Sequence, residues 1–198
     1  MAEIKEIERL ERRLIDGGWL SSVEFGRIRE SLSRYEAARA RNPLLPRLGV
    51  GAFVEATRPR LSFVAWAAVR EIPFEKAEDI VAAAEPTFGA EFFAFKRLPN
   101  EVPQGLQVGE TLVRMGILTS EQLQQTLDLQ KVVEENSGVR LLVGILLLRH
   151  NLIDMGAYFQ ALALHFGVEA SRIDDDLLGR IEDAWAQRRA SKQTAGDT

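Results

Sequence analysis

The sequence contains no cysteine, which excludes disulfides, thiolate metal sites and cysteine nucleophiles together. It has no apolar run of about 18 residues, and no charged segment is followed by a short apolar one, so it predicts neither a membrane span nor a secretory signal. No lysine follows a glycine, so the Gly-Lys-Ser/Thr of a phosphate-binding loop is missing. These absences lead us to expect a cytoplasmic protein that does not insert into a membrane.

Side chains that carry catalysis or bind metals are also scarce. The two histidines, His150 and His165, are too far apart in sequence to ligate one metal from adjacent helical turns. No serine has the histidine and aspartate spacing of a hydrolase, and the aspartates at 174–176 are typical of a helix start rather than a cation site. We therefore expect no catalytic residue, no metal and no cofactor, and predict that the chain is not an enzyme.

The composition is that of a globular protein with an acidic balance. The 198 residues are 46% hydrophobic, which is enough to bury a core. With 25 basic and 29 acidic residues, the net charge of -4 provides no general attraction to nucleic acid, so we expect no nucleic-acid partner.

One stretch of the chain is nevertheless rich in arginine. Eight arginines lie between residues 27 and 60, against three glutamates in the same stretch. The pattern fits either a solvated helix face or a site for phosphate or an acidic partner, because the guanidinium fork matches phosphate geometry. The anionic-partner patch predicted here consists of Arg27, Arg34, Arg41, Arg47, Arg58 and Arg60.

Apolar residues recur at helical spacing along most of the chain, so the predicted fold class is mainly α with little or no sheet. Residues 3–15 predict a helix that ends at a glycine pair, and a serine can cap a second helix running to about Arg41. A further helix-turn-helix is broken at Pro59. Residues 72–106 are less regular, with a short helix around 77–84 and a short strand predicted in the segment FFAFK.

The second half contains an internal repeat with an offset of 35 residues, the separation of Gly109 from Gly144. At this offset Gly116 aligns with Asn151, and these two residue types adopt a left-handed backbone with little strain. Each unit therefore reads as a short helix, a left-handed turn, a capping residue and a longer helix.

The first half fits the same unit at an offset of 98 residues, with Gly18 on Gly116. The chain then becomes a tandem of two modules, each made of two helix-turn-helix units. The predicted divisions are a helical module (1–72), a junction (73–105), a second helical module with a C-terminal helix (106–189) and a disordered tail (190–198).

The first unit of the second module carries a motif with an opening glycine, paired apolar residues and a terminal glutamine. Its residues are Gln107-Val108-Gly109, Leu112-Val113, Gly116-Ile117-Leu118, Leu123, Leu127 and Gln130. This motif resembles the repeat of the MshEN-type domain, the N-terminal domain of type II secretion and type IV pilus ATPases. The resemblance covers about residues 105–170, and a degenerate second copy is expected at about 10–70.

The resemblance implies a site for cyclic di-GMP, which some members of that family bind, with each repeat holding one guanine-phosphate half. The residues that it places there, with Arg140 as a neighbouring cation, are Gln107, Val108, Gly109, Leu123, Leu127, Gln130, Arg140, Val143, Gly144 and His165.

This chain departs from the family pattern at the charged contacts. Gln107 stands where the first repeat has arginine, Leu142 stands there in the second, and His165 replaces the terminal glutamine. Lost charged contacts weaken the binding of a dianion. The resemblance therefore implies an adaptor or regulatory module that docks on a protein of the secretion, type IV pilus or motility machinery. The alternative is a receptor for cyclic di-GMP or another nucleotide, and homo-oligomer formation stays open.

Overall fold

The computed structural model describes residues 2–55, 58–98 and 102–196, and this part of the chain is mainly helical, without a strand. The helices are α1 (Ala2–Asp16), α2 (Ser22–Arg41), α3 (Val50–Glu55), α4 (Pro59–Val69), α5 (Ala77–Phe88), α6 (Val108–Arg114), α7 (Ser120–Ser137), α8 (Val143–Arg149), α9 (Met155–Phe166) and α10 (Asp175–Gly196). The predicted fold class is confirmed. In the described ranges, no helix is both long enough and apolar enough to cross a bilayer.

The turns of the predicted repeat have the expected backbone. Gly18, Gly116 and Asn151 have φ values of 71°, 70° and 54°, so each adopts the left-handed conformation after a helix. The helix that follows is capped in each case by a side-chain oxygen, from Ser21, Thr119 and Asp154 respectively. Local sequence therefore fixes where these three units turn.

The helices of the two modules pack in the same pattern. In the first module α1 packs on α4 and α2 packs on α3; in the second, α6 packs on α9 and α7 packs on α8. Equivalent helices also meet across the modules, because α2 contacts α7 and α3 contacts α8. Two of the equivalent helix pairs therefore face each other where the modules meet.

A single hydrophobic core runs through both modules. Phe63 on α4 and Phe159 on α9 are fully buried, and their rings meet edge to face with centroids 5.7 Å apart. The long helix α10 packs on both α4 and α9. Trp19, Trp66 and Trp185 are half-buried.

The predicted short strand in FFAFK is wrong. Residues 90–92 form a 3-10 helix, and Ala94 makes one isolated bridge to Arg172. The neighbouring element is α9, a helix with no free backbone edge to pair with. The Gln160 side chain on α9 instead accepts from the Lys96 amide at 2.9 Å and donates to the Lys96 carbonyl at 2.7 Å.

The predicted disordered tail also differs from the structure, because α10 continues to Gly196, while residues 197 and 198 lie outside the described part. Residues 190–193 are Ala, Ser, Lys and Gln, all tolerated within a helix, and α10 simply propagates through them. The short helix predicted around 77–84 likewise extends to Phe88, with Pro86 inside it.

Candidate functional site

A cavity of about 390 Å³ lies between the two units of the second module. The ten residues predicted for a ligand site all line it: Gln107, Val108, Gly109, Leu123, Leu127, Gln130, Arg140, Val143, Gly144 and His165. They come from α6, α7, α8, α9 and the segments just before α6 and α8. The fold thus gathers residues that are up to 58 positions apart in sequence (165 minus 107) around one space.

The lining of the cavity is pseudo-symmetric. Six pairs of lining residues are related by the 35-residue offset, so each unit contributes the same six structural positions. The pairs are Gln107 and Leu142, Val108 and Val143, Gly109 and Gly144, Leu123 and Tyr158, Leu127 and Leu162, and Gln130 and His165. A ligand with two similar halves would meet similar surroundings in both.

Each of the two glycines lies directly under a side chain of the following helix. A Cβ atom on Gly109 would lie 2.4 Å from Leu123 Cδ1, and a Cβ atom on Gly144 would lie 2.2 Å from Tyr158 Cε2. Neither glycine has a positive φ, so close approach explains them rather than backbone conformation. In this structure the space above each glycine is filled by the protein itself.

The terminal residues of the two units tie the units together. Gln130 Nε2 donates to the Leu141 carbonyl, at the opening of the second unit. At the equivalent position His165 Nδ1 lies 2.6 Å from the Leu106 carbonyl, at the opening of the first unit. Each unit therefore ends on a hydrogen bond to the start of the other, which holds the two sides of the cavity in register.

His165 also contacts α10. Its Nδ1–H donates to the Leu106 carbonyl, so in the neutral ring Nε2 is free to accept, and Arg188 Nη1 donates to it at 2.5 Å. Arg188 Nη2 donates to the His165 carbonyl at 2.8 Å. Burial is the main cause that lowers the pKa of His165, and Arg188 and Lys192 on α10 lower it further. The ring is thus held neutral beside α10.

We expect His165 to make the stability of the protein depend on pH below neutrality. Its pKa is below 6.5 in the folded protein and near 6.5 in the unfolded chain, so below pH 6.5 the unfolded state binds more protons. The free energy of unfolding should therefore fall as the pH is lowered from 7.5 to 5.5, and His165→Gln should flatten this slope. Urea unfolding of both proteins at three pH values measures the difference, and equal slopes would contradict the assignment.

The remaining lining residues were not predicted as site residues. Leu142, Tyr158 and Leu162 follow from the 35-residue offset, which would have identified them if applied at every position. Pro59 on α4 and Trp185 on α10 come from other parts of the chain, and no local sequence signal points to them. The cavity is therefore completed by residues outside the repeat.

The predicted arginine patch does not form one surface. Arg58 donates to the Trp19 carbonyl, and Arg60 pairs with Asp175 at 3.2 Å with its guanidinium 4.4 Å from the Trp19 ring. These two arginines therefore serve internal packing, because each finds an acceptor or a ring within the fold. Arg27 and Arg34 line an open depression on α2, whereas Arg41 and Arg47 are exposed outside it.

The chemistry of the cavity suits binding. Its walls are largely apolar, with a few polar atoms from residues such as Gln107, Glu110 and Arg140. Arg140 is exposed and lies 3.8 Å from Glu134, a loose ion pair that a ligand could displace. In the parts of the chain that the structure describes, no three histidine or carboxylate side chains gather as metal ligands would.

Comparison with known proteins adds no family assignment. No protein-family model matches the chain, and no curated protein and no solved structure has significant similarity to it.

Proposed function

We propose that this protein is a non-catalytic regulatory receptor that binds a nucleotide in the cavity between its two C-terminal units, with cyclic di-GMP as the ligand to test. One observation carries the proposal: all ten residues that the family resemblance implies for a ligand site line the same cavity. The polar side chains of Gln107, Arg140 and His165 are the discriminating ones, since scattered or buried positions for these three would have favoured the adaptor. The volume of about 390 Å³ lies within the range of small-molecule sites.

The pseudo-symmetry of the cavity supports a ligand with two similar halves. Each unit offers an opening glycine, apolar walls and a terminal side chain able to hydrogen-bond. Apolar side chains such as Leu127 and Leu162 can pack on the faces of two purines, and Gln130 and His165 can reach polar edges. Cyclic di-GMP has this twofold character.

Binding requires the cavity walls to rearrange. Leu123 and Tyr158 cover the two glycines, and Gln130 and His165 are engaged with backbone carbonyls. A ligand that displaces these side chains must replace the hydrogen bonds they lose, which lowers the affinity. We therefore expect micromolar rather than nanomolar binding.

The side chains that occupy the space above the two glycines favour a second candidate function. This is an adaptor that docks on a component of the secretion, type IV pilus or motility machinery. In the adaptor, the side chains that cover the two glycines and bond to backbone carbonyls would only stabilise the fold, and the repeat would have a structural role. In that case the interaction surface lies outside the cavity, and ligand titration gives no signal.

The test is isothermal titration of the full chain with cyclic di-GMP, with a separate titration of GTP as the control nucleotide. Leu127→Trp should lower the affinity at least tenfold, because Leu127 lines the cavity and the larger ring occupies it. Val132→Trp is the matched control, since Val132 lies on the same helix with 39% exposure against 37% for Leu127 and outside the cavity.

The two candidate functions predict different titrations. Binding that is lost in Leu127→Trp and kept in Val132→Trp supports the receptor. Absence of heat with the wild-type protein at millimolar ligand overturns the receptor and leaves the adaptor, which affinity capture on secretion or pilus components then tests.

A further inference from the structure

A second depression, of about 490 Å³, lies beside the cavity and is lined by four arginines from three separate parts of the chain. Arg27 and Arg34 project from α2, Arg140 from the segment between α7 and α8, and Arg189 from α10. Arg140 also lines the cavity, so the two spaces adjoin. Four arginines thus border one depression of a protein whose net charge is -4.

These arginines lack the close carboxylate partners that several other arginines in the fold have. Arg39, Arg60 and Arg180 have carboxylate oxygens at 3.1, 3.2 and 2.9 Å. Among the described residues, in contrast, Arg27 and Arg189 have no carboxylate within 4.0 Å, and Arg34 has only the Ser31 hydroxyl, at 3.2 Å. Arg140 has the loose contact to Glu134 at 3.8 Å. The positive charge of the depression is therefore largely uncompensated.

The one acidic residue in the lining is already engaged. Glu24 Oε2 accepts from the Ser21 amide at 2.9 Å and from the Ser21 hydroxyl at 2.8 Å, which caps α2. Glu24 is thus hydrogen-bonded at the start of α2 and is a single carboxylate beside guanidinium groups from three elements. Like charges held close together repel one another, and an external anion relieves that repulsion.

We propose that this arginine depression binds the phosphates of an anion with two or more phosphoryl groups. The guanidinium fork binds phosphate oxygens bidentately, and four forks provide more donors than a single carboxylate can use. Both a free polyphosphate and the phosphate tail of a nucleotide have this chemistry. The inference goes beyond the proposed function, because it requires no ligand in the cavity.

The experiment is isothermal titration with pyrophosphate, and separately with GDP, at low ionic strength. The double variant Arg34→Gln/Arg189→Gln should bind pyrophosphate at least tenfold more weakly, because it removes two charged donors. The matched control is Arg29→Gln/Arg41→Gln, which removes the same charge from exposed positions of α2 outside the depression. All four side chains are exposed, so the variants should fold, and thermal melts confirm this.

The outcomes separate this site from the cavity. Leu127→Trp should leave pyrophosphate binding unchanged, and a loss there would place the anion in the cavity and overturn the assignment. Equal loss of pyrophosphate affinity in the two double variants would also overturn the proposed anion site, as would the absence of pyrophosphate binding by the wild-type protein. The four arginines would then be ordinary solvated side chains. If Arg34→Gln/Arg189→Gln binds both pyrophosphate and GDP more weakly, the wild-type affinities identify the ligand. Equal wild-type affinities show that the phosphates alone are sufficient, and tighter binding of GDP identifies a nucleotide as the source.

Discussion

Phe63→Ala should lower the free energy of unfolding by about 3–5 kcal/mol, which is the usual cost of truncating a buried phenylalanine. Phe63 is fully buried, and its ring packs edge to face against Phe93 and Phe159 with centroids 6.4 and 5.7 Å away. A domain of this size is stable by about 5–15 kcal/mol, so the loss is a large share of the total. Urea unfolding followed by circular dichroism measures it.

The position of Phe63 also makes this variant a test of how the modules cooperate. It lies on α4 in the first module, and Phe159 lies on α9 in the second, so the void that truncation of Phe63 leaves borders both modules. Hydrogen exchange should therefore accelerate in α6 and α9 as much as in α1 and α4. Acceleration confined to the first module would indicate two independent units. Phe88→Ala is the control, since Phe88 is 38% exposed, stacks on Phe92 and should cost much less.

The repeat is the part of the fold that sequence reasoning predicts best. Its turns depend on one backbone conformation and one capping oxygen each, and both requirements select particular residue types, as at Gly116 and Thr119. The ten candidate residues that the family resemblance implies also line one cavity, and the 35-residue offset relates several of them to one another across it. Local chemistry and simple symmetry are sufficient for this level of description.

The parts that sequence reasoning missed depend on tertiary contacts. The segment FFAFK has the composition of a strand, yet Phe92 and Phe93 pack on Trp66, and Gln160 hydrogen-bonds both backbone groups of Lys96. Likewise, the arginine-rich stretch reads as one patch, whereas α4 turns Arg58 and Arg60 inward toward Trp19. The residues next to a side chain in the sequence do not indicate which distant element it will contact.

The long helix α10 connects these observations. It contributes Trp185 to the cavity, Arg188 to His165 and Arg189 to the arginine depression. It also packs on α4 and α9, one helix from each module. A ligand that moves His165 would therefore act directly on the helix that bridges the modules, which is a physical route from the cavity to the rest of the protein.

Gly156→Ala should destabilise the protein by about 1–3 kcal/mol, although helix propensity alone predicts the opposite sign. A Cβ atom on Gly156 would lie 2.4 Å from the Ala94 carbonyl oxygen and 3.1 Å from the backbone carbon of Phe93. These are backbone atoms and cannot rotate away. The segment that carries them is also fixed, because Gln160 holds the Lys96 backbone and Lys96 Nζ lies 2.9 Å from Asp154. The substitution must therefore push residues 93–96 off α9.

Gly179→Ala is the matched substitution that isolates this effect. Gly179 lies within α10 with no atom within 4 Å of the added Cβ, so only the helix preference acts and we expect a gain of about 0.5–1 kcal/mol. Urea unfolding of the two variants should thus give changes of opposite sign. If both variants are stabilised, the backbone of residues 93–96 moves away from the added Cβ at little cost, and the junction behaves as a flexible linker. If Gly156→Ala destabilises the protein and Gly179→Ala stabilises it, segment 93–96 is a fixed part of the core that packs on α9. The region between the modules then transmits strain rather than absorbing it.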